Sequence, residues 1–388
     1  MATTDLVVAG YAETKIDHAT GRTAYDLGGE VLAALLDATG IEKGDIDGVS
    51  VTSSISEASN NFVASFMCEA LGLAPSWLNS SSLGGASVVA GVARAASAIR
   101  DGACEVALVL SADAPSTVSR QVYGAYRDEF QDRTGILRPP AAFGLLMNRY
   151  DHQFGLRPEA LAKIAVTQRA HGLLNENAYP KLRKPLTDAD YHASRMIADP
   201  LRLLDCVMYC DGANALLVTA EGTARRLGLK KMARIAGYAE RTNHDAGVAL
   251  PDITVTGFTD VARRLFARTG LRPSDIRMFH PYDDFTIAVL MQLEAFGFCE
   301  RGTGSDYVLA TDLSLAGALP LNTGGGQLSA GQPGLAGGGV PMVEAVRQVF
   351  GEAGPRQVSG PRNALVTGLG VIPYAGSWAT SAALVLEA

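Results

Sequence analysis

The stretch 321–339, LNTGGGQLSAGQPGLAGGG, holds eight glycines and gathers the residues best suited to chemistry. Glycine at this density lets backbone approach a ligand and lets successive N–H groups converge on an anion. Gly325, Gly326 and Gly331 are the candidates for such a loop. The apolar run 340–350 that follows reads as a helix, whose N-terminus would add free amides. A ligand-free surface loop would have the same composition. A second small-residue turn, SSSLGGAS at 80–87, also precedes a helix-like run. Its Ser80, Ser81 and Ser82 suit a nucleophile, and equally a turn or an N-cap. Lys181, Arg183 and Lys184 suit phosphate oxygens, and equally a solvated face. Cys206 and Cys210 lie four apart, but no nearby His or third Cys completes a zinc site, so no bound metal is expected.

These turns need a large scaffold, and the chain can build one. It has 388 residues, 47% of them hydrophobic, enough for two domains or one composite domain. A net charge of −7 argues against nucleic-acid or anionic-membrane surfaces. No run reaches the roughly 18–20 apolar residues of a membrane span. The N-terminus shows no basic region followed by an apolar run, so no secretory signal is expected. Five scattered cysteines fit a reducing cytoplasm better than a disulfide framework.

Strands are expected at 6–11, 48–52, 105–111 and 211–220, with helices at 24–38, 61–71 and 87–100. Such alternation predicts a mostly parallel α/β layer. Residues from about 112 to 220 are rich in Tyr, Arg and His, with half of the chain's Tyr and His, and read as a largely helical insertion, with 158–174 its longest run. The second half then repeats the first. Thr-Gly-(Ile/Leu)-x-x-x-Asp-Ile starts at Thr39 and again at Thr269. Asn79 precedes one small-residue turn and Asn322 the other, and each turn leads to a helix and an apolar strand. Two copies of one unit would bring both turns together near a pseudo-twofold axis.

With these landmarks in place, the sequence resembles the thiolase superfamily, in its sterol-carrier-protein or lipid-transfer-protein branch. The segments that carry the resemblance are PLRLLDCVMYCDGANALLVTA (200–220), YDDFTIAVLMQLEAFGFCERG (282–302) and LNTGGGQLSAGQPG. The resemblance implies an α/β thiolase fold, with duplicated βαβαβαββ halves in a five-layer α-β-α-β-α core and a mostly helical loop insertion. On that reading 1–112 with 205–230 form the N-terminal half, 113–204 the insertion and 231–388 the C-terminal half. It also implies a coenzyme A thioester as substrate, no bound cofactor, and a homodimer. Members of the branch often pair with a small zinc-ribbon/OB-fold protein.

The catalytic positions depart from the thiolase pattern. The nucleophilic Cys position falls at or beside Gly85, with Ser87 as the Ser that follows. The loop His is replaced by Gln332. The second Cys is expected near 367–370, where Gly370 stands and no Cys does. The Asn-Glu-Ala-Phe or His-Asp-Cys-Phe box is here Tyr282–Asp283–Asp284–Phe285. Without a thiolate to hold an acyl group, Claisen chemistry has no obvious route. The acyl-CoA retro-aldolases of the superfamily also lack the thiolase Cys and are similar to this chain in the Tyr-Asp box. The resemblance makes Tyr282 the candidate base or acid, with Asp284 beside it. A Tyr acting as base near neutrality needs an electropositive site, which two helix N-termini could supply. The second Tyr of those aldolases aligns with Gln332, which can donate to an oxyanion but cannot exchange a proton. His280 and Asp211 read as structural residues, and Tyr374 as a residue that could lie near the site.

Three functions follow. The first is a non-covalent carbon–carbon lyase cleaving a β-hydroxyacyl-CoA through a thioester enolate. The second is an acyltransferase using a Ser. The third is a degenerate acyl-CoA-binding subunit that supports a partner.

Overall fold

The computed structural model describes residues 5–118, 138–242, 252–360, 362–370 and 378–388. The first half runs β1 (Leu6–Glu13), α1 (Ala24–Thr39), β2 (Gly48–Thr52), α2 (Val63–Leu71), β3 (Trp77–Ser81), α3 (Ser87–Arg100) and β4 (Val106–Asp113). Helices α4 (Arg138–Phe154), α5 (Pro158–Leu173) and α6 (Asp188–Ala193) follow, then a short hairpin of β5 (Met196–Ala198) and β6 (Leu201–Arg202). Next come β7 (Gly212–Ala220), α7 (Glu221–Arg226) and β8 (Ala233–Thr242). The second half continues with α8 (Phe258–Thr269), β9 (Met278–His280), α9 (Thr286–Ala295), α10 (Gly304–Ala310), α11 (Gly326–Ala330), α12 (Gly339–Phe350), β10 (Asn363–Leu369) and β11 (Thr380–Glu387).

Nine strands are hydrogen-bonded in the order β3-β2-β4-β7-β1-β8-β11-β10-β9. The expected mostly parallel layer is instead mixed: the β2–β3, β2–β4 and β9–β10 pairs are parallel, and the other five, through β1, β7, β8 and β11, are antiparallel. Within the sheet, among the described residues, the halves are joined where Val7 and Val8 of β1 pair with Arg234 and Ala233 of β8. Alternation along each strand then builds the layers, because successive side chains point to opposite faces. Leu6 and Val8 pack with α3 and α12 in a central layer that also receives β10 and β11. Val7 and Ala9 face the other way, onto α1 and α2. The outer face of β9–β11 is covered by α8 and α9, and by α4 and α5 of the insertion. The layers are therefore helix, sheet, helix, sheet, helix.

The internal repeat holds at atomic detail. Both α1 and α8 end on a left-handed glycine, Gly40 (φ 73°) and Gly270 (φ 72°), where a side chain would be strained. Thr39 and Thr269 bond back to the carbonyls of Leu35 and Leu265. A Cβ at Gly10 would lie 2.5 Å from Thr39 Cγ2, and one at Gly237 the same distance from Thr269 Cγ2. One strand is reduced in the second copy. Where the first half has the five-residue β3, the second has a single parallel bridge, Phe279 to Leu321. The chain then turns at Asn322, whose φ is 42°.

The matched glycines give a test of the repeat. Gly10→Ala and Gly237→Ala should each destabilise by about 1–3 kcal/mol through overpacking. Thr39→Ser should recover most of the first loss and Thr269→Ser most of the second, read as shifts in denaturation midpoint.

Candidate active site

The box at 282–285 forms the link between β9 and α9. Its backbone is fixed from two sides. Tyr282 N–H donates to Thr367 Oγ1 on β10 (2.8 Å), and its carbonyl accepts from Gln292 Nε2 on α9 (2.8 Å). Phe285 stacks on Phe143 of the insertion at 4.0 Å between centroids. The Tyr282 ring is therefore held buried, at 5% exposure. It lies directly against Gly85, on the turn into α3. A Cβ at Gly85 would sit 2.1 Å from Tyr282 Cε2 and Cζ and 2.3 Å from its Oη. The phenol thus fills the space that a nucleophilic side chain at position 85 would need. The glycine at 85 and the Tyr of the box are one steric fact.

The surroundings of Tyr282 oppose ionisation. Burial, then the charges of Asp284, Tyr209 and Asp283, push its hydroxyl well above the ordinary Tyr range, and the hydrogen bond from Gln332 offsets only part of this. The electropositive pocket expected from two helix ends is not what this hydroxyl meets. Each long helix starts in a 3₁₀ turn, Gly84–Ala86 before α3 and Gly334–Gly338 before α12, and that turn's carbonyls take up leading amides such as those of Ser87 and Gly339. Tyr282 is therefore a neutral phenol, a proton donor rather than a ready base.

Two adjacent carboxyls have different environments. Asp283 is fully buried and accepts from Gln327 N–H (2.9 Å), Leu328 N–H (3.1 Å) and Gln168 Nε2. Burial pushes it up to about 7 against those donors. It holds the start of α11 and is a positioning group. Asp284 is half-buried, and its Oδ1 is enclosed with no hydrogen-bond partner among the described residues. Burial first, and Asp283 second, push its acidity well above the usual carboxylate range. Such a carboxyl can take and return a proton nearer neutrality.

The glycine loop is more rigid than its composition suggests. The amides of Gly325 and Gly331 already donate to Asn322 and Gln327 carbonyls, so they are not free to cradle an anion. Gly325 (φ 97°) is required by the close approach of Gly172 on α5, whose Cα would be 2.7 Å from a Cβ there. At Gly326 a Cβ would strike Asp283 Oδ2. Gly370 also bonds within the fold, to the Thr380 carbonyl. Gln332 faces Tyr282, with Nε2 3.2 Å from the phenol oxygen and 3.2 Å from Gln327 Oε1. Both its N–H groups are thereby used, so it does not donate directly to a substrate oxyanion. The start of the loop is tied to α12, where Glu344 accepts from Thr323 and Arg356. Burial disfavours the Glu344 charge, but Arg347 and Arg356 hold it down to about 2.

The other sequence candidates lie apart from this cluster. Ser82 is exposed and has no hydrogen-bonded base among the described residues, so nothing activates it. Ser87 is buried, and its Oγ accepts from Leu83 N–H, pinning the turn. Lys181, Arg183 and Lys184 are exposed on a turn that joins the loop through Tyr179 N–H to the Ala330 carbonyl. Asp211 gathers donors from Thr20, Ser116 and Thr117 and holds two loops together. His280 is fully buried, neither ring nitrogen has a partner among the described residues, and burial pushes it down to about 4. Tyr374 falls outside the described residues. Among those described, no group of His, Cys, Asp or Glu could hold a metal ion.

Sequence reasoning missed the residues that orient the box. Gln168 projects from α5 of the insertion, and Gln292 and Thr367 come from α9 and β10. The segment 206–210 threads between box and loop. Val207 N–H donates to the Asp284 carbonyl, while Met208 and Cys210 pair with the backbone of Gln332. Asp205 fastens that segment by accepting from Tyr191 and Thr286. The only sequence hint was a polar residue, such as Gln168, within a helix that is otherwise mostly buried.

The chain belongs to the thiolase family. It matches the thiolase N-terminal domain over residues 6–221 and the thiolase C-terminal domain-like family over 239–388. A steroid side-chain-cleaving aldolase of Thermomonospora curvata is 33% identical, over 95% of this chain and 96% of that protein. A 17-hydroxy-3-oxo-4-pregnene-20-carboxyl-CoA lyase of Mycobacterium tuberculosis is 31% identical, over 95% and 97%. Among solved structures, an Ltp2-ChsH2(DUF35) aldolase superposes with a TM-score of 0.82 at 30% identity, covering 99% of this chain and 98% of that one. An acetyl-CoA acetyltransferase of Methanothermobacter thermautotrophicus is more distant, at 26% over 94% of this chain. The chain thus stands with the aldolase and lyase enzymes of the family.

The Gly85–Tyr282 contact predicts a double-mutant cycle. Gly85→Ala should destabilise by about 1–3 kcal/mol, as overpacking does. In a Tyr282→Ala background the same change should cost little, since the three atoms nearest a Cβ at 85 all belong to Tyr282. Thermal or chemical denaturation of the four proteins would measure the coupling.

Proposed function

We propose that this protein is a non-covalent acyl-CoA retro-aldolase, cleaving a β-hydroxyacyl-CoA into a carbonyl compound and a shorter acyl-CoA. The observation that carries the reading is the Tyr282 ring in the space a thiolate would occupy. A proton leaves the β-hydroxyl, the Cα–Cβ bond breaks, and its electron pair passes to Cα and the thioester oxygen as an enolate. A proton then returns to Cα. Asp284, with its unpartnered oxygen and raised acidity, is the group we assign to take and return that proton. Tyr282, held neutral, donates a hydrogen bond to the developing oxyanion. Ser82 lacks a base, which disfavours the acyltransferase reading. A proton acceptor beside a phenol disfavours the degenerate-subunit reading.

The names of the full-length relatives favour a bulky alicyclic acyl chain of the steroid class as substrate. In this reading the insertion over 113–204 supplies the acyl wall, and Lys181, Arg183 and Lys184 meet the coenzyme A phosphates. The similar Ltp2-ChsH2(DUF35) aldolase is a two-protein assembly, which supports a small zinc-ribbon/OB-fold partner here. A homodimer is the assembly we propose for the chain itself. A soluble cytoplasmic setting fits this reading, and no helix among the described residues is long and apolar enough to cross a membrane.

The first test is carbonyl release from a panel of β-hydroxyacyl-CoAs, steroid thioesters included, with and without such a partner. Tyr282→Phe should lower kcat by about 10²–10⁴ while acyl-CoA binding persists. Full activity in that variant would defeat the assignment. Mass spectrometry of the intact protein after turnover should show no acyl adduct.

The pH profile tests Asp284 separately. A base must be ionised to act, and this carboxyl is pushed upward. Activity should therefore rise with pH along a limb displaced above the ordinary carboxylate range, and Asp284→Asn should remove both the limb and most of kcat.

A further inference from the structure

Three buried side chains behind Tyr282 form a line whose direction is fixed at one end. Asp283 receives N–H donors on both carboxylate oxygens: Gln327 N–H and, at 3.4 Å, Gln327 Nε2 on Oδ1, and Leu328 N–H with Gln168 Nε2 on Oδ2. All four contacts come from N–H groups, so the carboxyl meets them as an acceptor, and in its ionised form it is acceptor-only. It obliges Gln327 to turn its amino group inward, since a carbonyl oxygen there would face a charge of its own sign. The Oε1 of Gln327 is then directed at Gln332, which must answer with Nε2 (3.2 Å). The second N–H of that same nitrogen reaches the Tyr282 oxygen (3.2 Å). The Gln332 backbone is clamped by Met208 and Cys210, which fixes where its side chain starts, and the two bonds of its buried Nε2 hold the amide in place. Gln327, Gln332 and Asp283 are all buried, at 0%, 5% and 0% exposure. In such a setting an unmade hydrogen bond is costly, so the arrangement has one direction.

We propose that Asp283, Gln327 and Gln332 act as a positioning relay that makes the Tyr282 oxygen an acceptor on its protein side and so commits its proton to the substrate side. The inference rests on the retro-aldol reading of Tyr282 and adds what decides its polarity. The Tyr282 O–H itself donates to no group among the described residues. Gln332 and Gln327 are positioning residues, acting through the phenol rather than on substrate.

The relay predicts an asymmetry that a packing role would not. Gln332→Met removes the donor and should lower kcat about tenfold with KM little changed. Gln332→Glu is nearly isosteric but presents an acceptor, so it should capture the phenol proton and lower kcat further, by about a hundredfold. Gln327→Met, one residue further back, should lower kcat severalfold in the same direction. Equal losses in the two Gln332 variants, or an unchanged kcat in Gln327→Met, would overturn the relay.

A second readout needs no turnover. Trifluorotyrosine placed at position 282 and titrated by ¹⁹F NMR should show the phenol hardest to ionise in Gln332→Glu, intermediate in Gln332→Met and easiest with Gln332 intact. That order, found in a protein that cleaves no β-hydroxyacyl-CoA, would keep the relay and reject the retro-aldol reading. Identical titrations in an active enzyme would do the reverse.

Discussion

The contact between Gly85 and Tyr282 organises the candidate site, and with it the chemistry we propose. A phenol ring and a nucleophilic side chain cannot share one volume, and here the ring has it. Packing density in a protein interior leaves no slack for both. Glycine at 85 is therefore a condition for Tyr282 rather than a simple loss. The exchange replaces a group that forms a covalent bond with one that can only hold or donate a proton. Carbon–carbon cleavage through an enolate asks for no more than that, since electrostatic stabilisation of the oxyanion can be the largest single contribution.

The same burial that fixes the ring sets the protonation states around it. Tyr282 is kept neutral, Asp283 ionises only against a strong opposing burial penalty, and Asp284 is pushed well above the usual carboxylate range by burial and then by Asp283. Neighbouring carboxyls in one chain segment thus receive different tasks from their hydrogen bonds alone. Asp283 anchors the loop, and Asp284 is the group we propose for proton exchange. Separation of acidities between adjacent groups is how one site holds an acid and a base together.

The insertion does more than cover the core. Gln168 and Gly172 of α5 brace the glycine loop, and 206–210 runs as a short splint between that loop and the box. The cationic turn at Lys181–Lys184 is tied to the same loop through Tyr179. Substrate contacts on the insertion would therefore be felt at the Tyr282 backbone through a few hydrogen bonds, with no flexible linker between.

The chain's own pattern determined much of this. Strand and helix positions, the left-handed glycine caps and the repeat of Thr39 in Thr269 were readable because they depend on local periodicity and steric demand. The absence of a thiolate near 85 and the place of Tyr282 in its box were readable too, since residue identity alone states them. What the glycines do was not. Their density suggested free amides for an anion, whereas at 325, 326 and 331 they serve close packing, a property of the neighbour rather than of the glycine. Nor could sequence set the acidity of Tyr282, because two helix ends looked near while the burial of the ring and of the carboxyls beside it was invisible. Distance and desolvation decide such energies, and both arise only when residues 115 to 197 positions apart, such as Gln168 with Asp283 or Gly85 with Tyr282, close on one another: hydrogen-bond direction, burial and steric exclusion belong to the folded chain alone.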